Sequence, residues 1–198
     1  QFRIGNISTS EKEIIDISKA WIAISIAFAI LLSGSIFSKG FYVMFIISSI
    51  TVGIGFLFHE IGHKIVAQRF GCFAEFRSFD NMLVLAIVMS FFGFLFAAPG
   101  AVMISGNVDT KKNGLISAAG PIVNIVLAII FLLLGFIGIA PLISNYGFII
   151  NSWLALFNMI PLWNFDGKKI LRWNKVVYGI MTGLAIVFVF SKSFLRLI

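Results

Sequence analysis

The sequence predicts an all-α polytopic membrane protein, with about five to six transmembrane helices and a small re-entrant helix/β-strand element. Three observations carry that reading. Of 198 residues, 60% are hydrophobic and only 12% charged, with a mean hydropathy of +1.05, far too apolar for a soluble globular chain of this size. Uncharged runs long enough to cross a bilayer recur along the chain. The charges lie between those runs, so the excess of 15 Lys and Arg over 8 Asp and Glu reads as a topology signal. No nucleic-acid partner is implied.

The elements follow in order within a single membrane-embedded domain, 1–198. Residues 1–19 suit a helix lying at the membrane surface, because Ser10 and Glu13 form a capping box and Ile14, Ile17 and Trp21 share a helical face. They suit the first wet turns of the next span equally well. The first residue is Gln1, as expected of a fragment or a processed form, and no cleavable signal peptide is visible at the start. Residues 20–38 form a first span and 40–70 a second, with Gly71 as a helix stop. The stretch 81–108 is uncharged throughout, either re-entrant or an additional span. Its part up to Ala98 is helix-like, Pro99-Gly100 breaks the helix, and Ala101 to Ser105 has the β-branched character of a strand. Spans at 113–140 and 141–165 are divided by Gly138-Ile-Ala-Pro141. A final span, 176–195, is short in its apolar part and extendable if Lys175 and Lys192 snorkel.

Polar chemistry enters at the end of the second span, in Phe58-His59-Glu60-Ile61-Gly62-His63. On a helix His59 and His63 stand one turn apart on one face, so both imidazoles can bind one zinc ion, and Glu60 can serve a metal-activated water as general base. The chain has two histidines, and both are here. The competing reading, two interfacial histidines with an incidental Glu60–Lys64 pair, is weakened by the rarity of ionisable groups so close to a hydrophobic core.

A catalytic zinc normally takes three protein ligands and keeps one position open. With no third histidine the candidates are carboxylates and Cys72, the latter read first as a small buried hydrophobe. Glu11, Glu13 and Asp16 fall in the wet N-terminal segment, and Glu75, Asp80 and Asp109 in loops. Asp166 alone sits at a membrane boundary after a proline break, in Asn158-Met-Ile-Pro161-Leu-Trp-Asn-Phe-Asp166-Gly167. The competing reading makes Asp166 a helix N-cap or the partner of Lys168 or Lys169. Topology favours the ligand. If 81–108 re-enters, Lys64, Arg69, Lys111, Lys112, Lys168, Lys169, Arg172 and Lys175 share one side with the N-terminal segment. Asp166 then lies at the same face as His59, and the positive-inside rule makes that face cytoplasmic.

Taken together, these residues resemble the site-2 protease family of intramembrane zinc metalloproteases, in a minimal core form. The resemblance rests on His59-Glu60-Ile61-Gly62-His63, on Gly120-Pro121 to Asn124, and on Asn158, Pro161, Asp166 and Gly167. It implies one Zn2+ held by His59, His63 and Asp166, with Glu60 as base and Asn158 assisting catalysis at the substrate or the oxyanion. It implies substrate binding at Pro99, Gly100, Ala101, Val102 and Asn124, the strand from Ala98 to Val102 docking an unwound helix. The implied partners are transmembrane protein substrates and the lipid bilayer, in regulated intramembrane proteolysis. The implied location is a multi-pass position in the cell membrane with the active site near the cytoplasmic face. One departure is Phe165 before Asp-Gly, where the family usually has Leu or Met. No PDZ or CBS domain is evident. The alternatives are a zinc-binding membrane protein without protease activity, which has no need of Glu60, and a metal transporter, which would carry further ligands along its spans.

Overall fold

A backbone wrapped in apolar side chains must satisfy its N–H and C=O groups internally, and this chain does so mainly as helix, which accounts for 73% of it. The structure is a computed structural model and describes residues 2–4, 7–95 and 99–195. The helices are α1 (Glu11–Ser33), α2 (Phe41–Ser48), α3 (Ile54–Arg69), α4 (Asp80–Ser90), α5 (Thr110–Phe136), α6 (Pro141–Asn158), α7 (Asp166–Trp173) and α8 (Lys175–Leu195). A π-helical turn, Ser49–Gly53, joins α2 to α3 in one continuous rod. Strands β1 (Phe2–Ile4) and β2 (Ile7–Thr9) form one antiparallel pair, and β3 (Phe73–Ser78) and β4 (Gly100–Ser105) another.

Among the described residues, three helical stretches are long and apolar enough to cross a membrane: Glu11–Ser33, Phe41–Arg69 and Thr110–Phe136. Helix α6 falls short in hydropathy because it carries Asn145, Asn151 and Asn158. Large apolar side chains such as Val84, Phe92, Leu133, Trp153 and Val187 face outward, as a lipid surround permits. Inside, close helix approach relies on small residues. A Cβ on Gly147 of α6 would come within 2.4 Å of the Phe131 ring on α5.

Several expectations need correction. The N-terminal segment is no separate surface helix, since α1 starts at Glu11, directly after its cap, Ser10, whose hydroxyl accepts the Glu13 N–H at 3.3 Å. Only half of the capping box forms. The Glu13 carboxylate turns inward, and neither Glu13 nor Asp16 is wet: they are 0% and 5% exposed. Helix α4 stops at Ser90 and does not run to Ala98; Gly93 at φ +82° turns the chain. Ala98 lies outside the described residues. Glu75 is in a strand and not a loop, and Asp109 caps α5 by accepting the Lys112 N–H at 2.7 Å.

Strand β4 matches the expectation for 101–105, but its partner β3 was not foreseen. Register runs from Phe73↔Ser105 to Ser78↔Gly100. The Phe79 N–H donates to Pro99 O at 3.0 Å, so the chain returns beside the point it left before α4. Eleven helical residues rise only about 16 Å, roughly half of a ~30 Å hydrocarbon core. Alternation from the Phe79–Pro99 bond makes Arg77↔Ala101 and Glu75↔Met103 the bonded pairs, so Gly100, Val102 and Ile104 turn their backbone groups away from β3. On the opposite edge the backbone of β3 is closed by side chains. Phe76 N–H donates to Glu13 Oε1 at 2.9 Å, and Gln68 Nε2 donates to Ala74 O at 3.0 Å. Phe76 itself packs with Ala20, Ala23, Ile24, Phe56 and Ile150, which fixes the hairpin against α1, α3 and α6.

Candidate metal centre

The π turn decides which way the histidines face. It adds one residue to the rod and so rotates everything after it by about 100° relative to an unbroken α-helix. The turn is held from α1, where the Trp21 indole N–H donates to Ser49 O at 3.1 Å. Past it, His59 and His63 point at α5. Gly120 of α5 is the point of closest approach: a Cβ there would lie 2.4 Å from His63 Nε2 and 2.5 Å from His59 Nε2.

The third group arrives from the start of α7. Gly167 lets that helix press on the preceding loop, since a Cβ there would lie 2.2 Å from Met159 O. Asp166 Oδ2 thereby reaches 3.3 Å from His59 Nε2 and 3.1 Å from His63 Nε2, and the two Nε2 atoms are 3.0 Å apart. All three residues are buried. Lys169 Nζ stands 3.8 Å from the other oxygen, Oδ1.

Backbone carbonyls determine what these atoms can do. His63 Nδ1 is 2.8 Å from Ile116 O, which only accepts, so Nδ1 carries the proton, and in the neutral ring Nε2 keeps a lone pair. His59 Nδ1 is 2.6 Å from Asn124 Oδ1, and the Asn124 amide is oriented by donation from its Nδ2 to Gly55 O at 3.1 Å. His59 Nε2 is therefore a lone pair too. Two imidazole lone pairs and a carboxylate oxygen thus meet with no hydrogen-bond donor among them. Such a cluster is favourable only around a cation. A tetrahedral ion with bonds of about 2.0–2.1 Å spaces its ligands about 3.3 Å apart, and the distances here fit that ion with one face open. Among the described residues no other group of three such side chains could hold a metal. Cys72 is apart from it, packed with Ala67, Ala74 and Ile116.

Glu60, half-buried, lines a cavity of about 750 Å3 that also contains His59, His63 and Asp166. The walls are apolar, with Ile24 and Phe28 from α1, Met82 and Leu85 from α4, and Phe157 and Trp163 near the mouth of α7. Pro99, Gly100, Ala101 and Val102, expected at the substrate, line it, and the Val102 amide is directed at the Glu60 carboxylate. Asn158 also lines it, with Nδ2 donating to Leu154 O at 2.9 Å. Asn124, expected at the substrate, borders the cavity but is 0% exposed, and both atoms of its amide are bonded inside the protein. One group went unseen in the sequence, and another has a different partner there, Lys64 being read only as a pair for Glu60 and as a topology marker. Asn151, also 0% exposed, accepts from Asn124 Nδ2 at 3.1 Å. Lys64, 5% exposed, pairs with Glu13 at 2.5 Å. An asparagine in the middle of an uncharged span was the available signal for the first, and a lysine one residue past the histidine pair for the second.

No family model matches the chain, and no solved structure matches it. It is 28% identical over 135 residues to "Zinc metalloprotease MJ0392" of Methanocaldococcus jannaschii, covering 66% of this chain and 33% of that longer protein. It is 39% identical over 178 residues to "Putative zinc metalloprotease MJ0611" of the same organism, covering 87% of this chain and 90% of that one. Identity at that level, sustained over most of both chains, makes this protein a member of the zinc metalloprotease family to which that relative's name assigns it.

Proposed function

We propose that the chain is an intramembrane zinc metalloprotease of the site-2 type, hydrolysing peptide bonds in transmembrane segments of protein substrates. The observation that carries the reading is the meeting of His59, His63 and Asp166 beside Glu60, in an apolar cavity walled by outward-facing apolar helices. One Zn2+ on those three residues supplies, when bound, Lewis acidity toward water and the scissile carbonyl. Glu60 accepts a proton from the attacking water as its oxygen bonds to the carbonyl carbon, and returns it to the departing nitrogen when the C–N bond breaks. Asn158 Nδ2, with one N–H on Leu154 O, offers its second N–H to the carbonyl oxygen. Gly100 and Val102 present backbone groups on the open edge of β4, so a substrate unwound to a strand adds there by main-chain pairing. Asn124 acts on His59, not on the substrate.

In this reading five stretches span the bilayer (α1, the α2–α3 rod, α5, α6 and α8), the whole forms one domain, and the chain between Phe79 and Pro99 dips in and returns. That return supports a common face for the site and the basic loops, which the positive-inside rule makes cytoplasmic. Cleavage of a model transmembrane substrate by the purified protein in detergent tests the reading, with a zinc chelator and with Glu60→Gln. Zinc-dependent cleavage by the parent is expected, and Glu60→Gln should bind zinc but not cleave. Cleavage that survives both treatments refutes the assignment. Zinc bound with no cleavage by the parent would favour a zinc-binding protein without protease activity.

A further inference from the structure

We infer that Asn151 is a positioning residue for the metal: from α6 it sets the direction of the hydrogen bonds that leave the His59 Nε2 lone pair facing the site. The inference rests on the metal reading above. Its starting point is a chain of buried amides across three helices. His59 Nδ1 on α3 meets Asn124 Oδ1 on α5 at 2.6 Å, and Asn124 Nδ2 meets Asn151 Oδ1 on α6 at 3.1 Å. Asn151 Nδ2 then meets Gly147 O at 2.9 Å, and the chain ends.

Each link has one possible polarity. Gly147 O cannot donate, so Asn151 must present its NH2 there and its oxygen to Asn124. That oxygen accepts only from the Asn124 NH2, which turns the Asn124 oxygen to His59. His59 must then donate from Nδ1. Gly55 O biases Asn124 the same way, but it uses one of two N–H groups. Without Asn151 the second is left unsatisfied in the core. A rotated Asn124 then becomes competitive, and its NH2 favours the tautomer of His59 that carries the proton on Nε2. That tautomer cannot bind the metal. The fold reserves the space: both asparagines are 0% exposed, and a Cβ on Gly55 would lie 2.5 Å from Asn151 Oδ1. Partners of this type, acting behind a ligand, typically change metal affinity by 10–100-fold.

The test compares Asn151→Leu, Asn151→Asp and Gly55→Ala in the full chain in detergent, with Ser152→Ala as a control. Ser152 is equally buried on α6 but bonds only its own helix, at Phe148 O. Zinc affinity is read by competition with a chromophoric chelator, and the tautomers by 15N spectra of the zinc-free protein, which holds two histidines. Asn151→Leu should weaken zinc about 10–100-fold and move protonation of His59, not His63, away from Nδ1. Asn151→Asp should bind within about threefold of the parent, since a protonated carboxyl can donate to Gly147 O and accept from Asn124. Parent affinity and tautomers in a folded Asn151→Leu would overturn the inference, as would a folded Asn151→Asp that binds no better than Leu. Should the Leu variant fail to fold, Gly55→Ala replaces it: its methyl displaces the same oxygen, and parent affinity there overturns the inference equally. Absence of zinc binding by the parent would instead sink the metal reading itself.

Discussion

Gly120→Ala isolates the metal site from the stability of the helix that carries Gly120. In the interior of a helix this substitution ordinarily stabilises by about 1 kcal/mol, because glycine is the poorer helix former. Here the new methyl carbon would lie 2.4 Å from His63 Nε2, 2.5 Å from His59 Nε2 and 2.6 Å from His59 Cε1. Ordinary contact begins near 3.4 Å, so both rings or the α5 backbone must move by about 1 Å. Displacements of that size cost about 100-fold where geometry matters, and here two of three proposed ligands move together. The expected outcome is loss of at least 100-fold in zinc affinity and in turnover, with the melting temperature of the zinc-free protein changed little. The assay is metal content by mass spectrometry, alongside cleavage of a model transmembrane substrate and thermal unfolding in detergent. Full zinc occupancy in the variant would refute the argument, for no ion fits between those nitrogens with a methyl among them.

Three further outcomes follow from the same geometry. Asp166→Asn should weaken zinc binding by more than the ~10–100-fold of an indirect change and abolish cleavage, whereas Asp109→Asn, at the cap of α5, should leave both intact; full occupancy in Asp166→Asn would place the third ligand elsewhere. Glu13→Gln leaves the Lys64 ammonium buried without its carboxylate, so unfolding in detergent should show a loss of about 3–5 kcal/mol, and an unchanged midpoint would refute it. In a Cys72-free background, cysteines at positions 3 and 111 should be labelled from one side of the membrane; labelling from opposite sides rejects the re-entrant path for 79–99.

What the sequence revealed was local, and what it hid was not. His59 and His63 are legible because their spacing is one helical turn, and Asp166 because a proline break beside an uncharged run leaves few other carboxylates. The strand at Gly100–Ser105 is signalled by Pro99-Gly100 and the β-branched residues after it. Its partner is not. Phe76 pairs with Val102 far along the chain, and β3 buries Ala74, Glu75 and Phe76 in succession, so it lacks the period-two pattern of a half-exposed strand. Glu13 was misread for the same reason, since Lys64 and the Phe76 N–H that bury it stand 51 and 63 residues away. The end of α4 was missed although Gly93 offered a stop. No composition marks the π turn, which depends on Trp21 of α1 reaching Ser49 O.

The placement of Glu13 bears on how a two-stranded sheet can present a single edge. Any exposed edge invites pairing, and an isolated hairpin has two. A strand docking on β3 would lie on the wrong side of the sheet, away from Glu60 and the metal residues. That edge is closed by Glu13 on the Phe76 N–H, by Gln68 on Ala74 O and by Arg77 Nη1 on Phe76 O. Glu13 can do this only as a buried carboxylate, which needs a cation, and the cation is Lys64, the residue after His63. One network therefore ties α1, the closed edge of β3 and the metal helix together, and pairing capacity remains on β4, whose Val102 amide already faces Glu60. The hairpin is asymmetric because the residues that silence one edge are supplied by the helices that build the site.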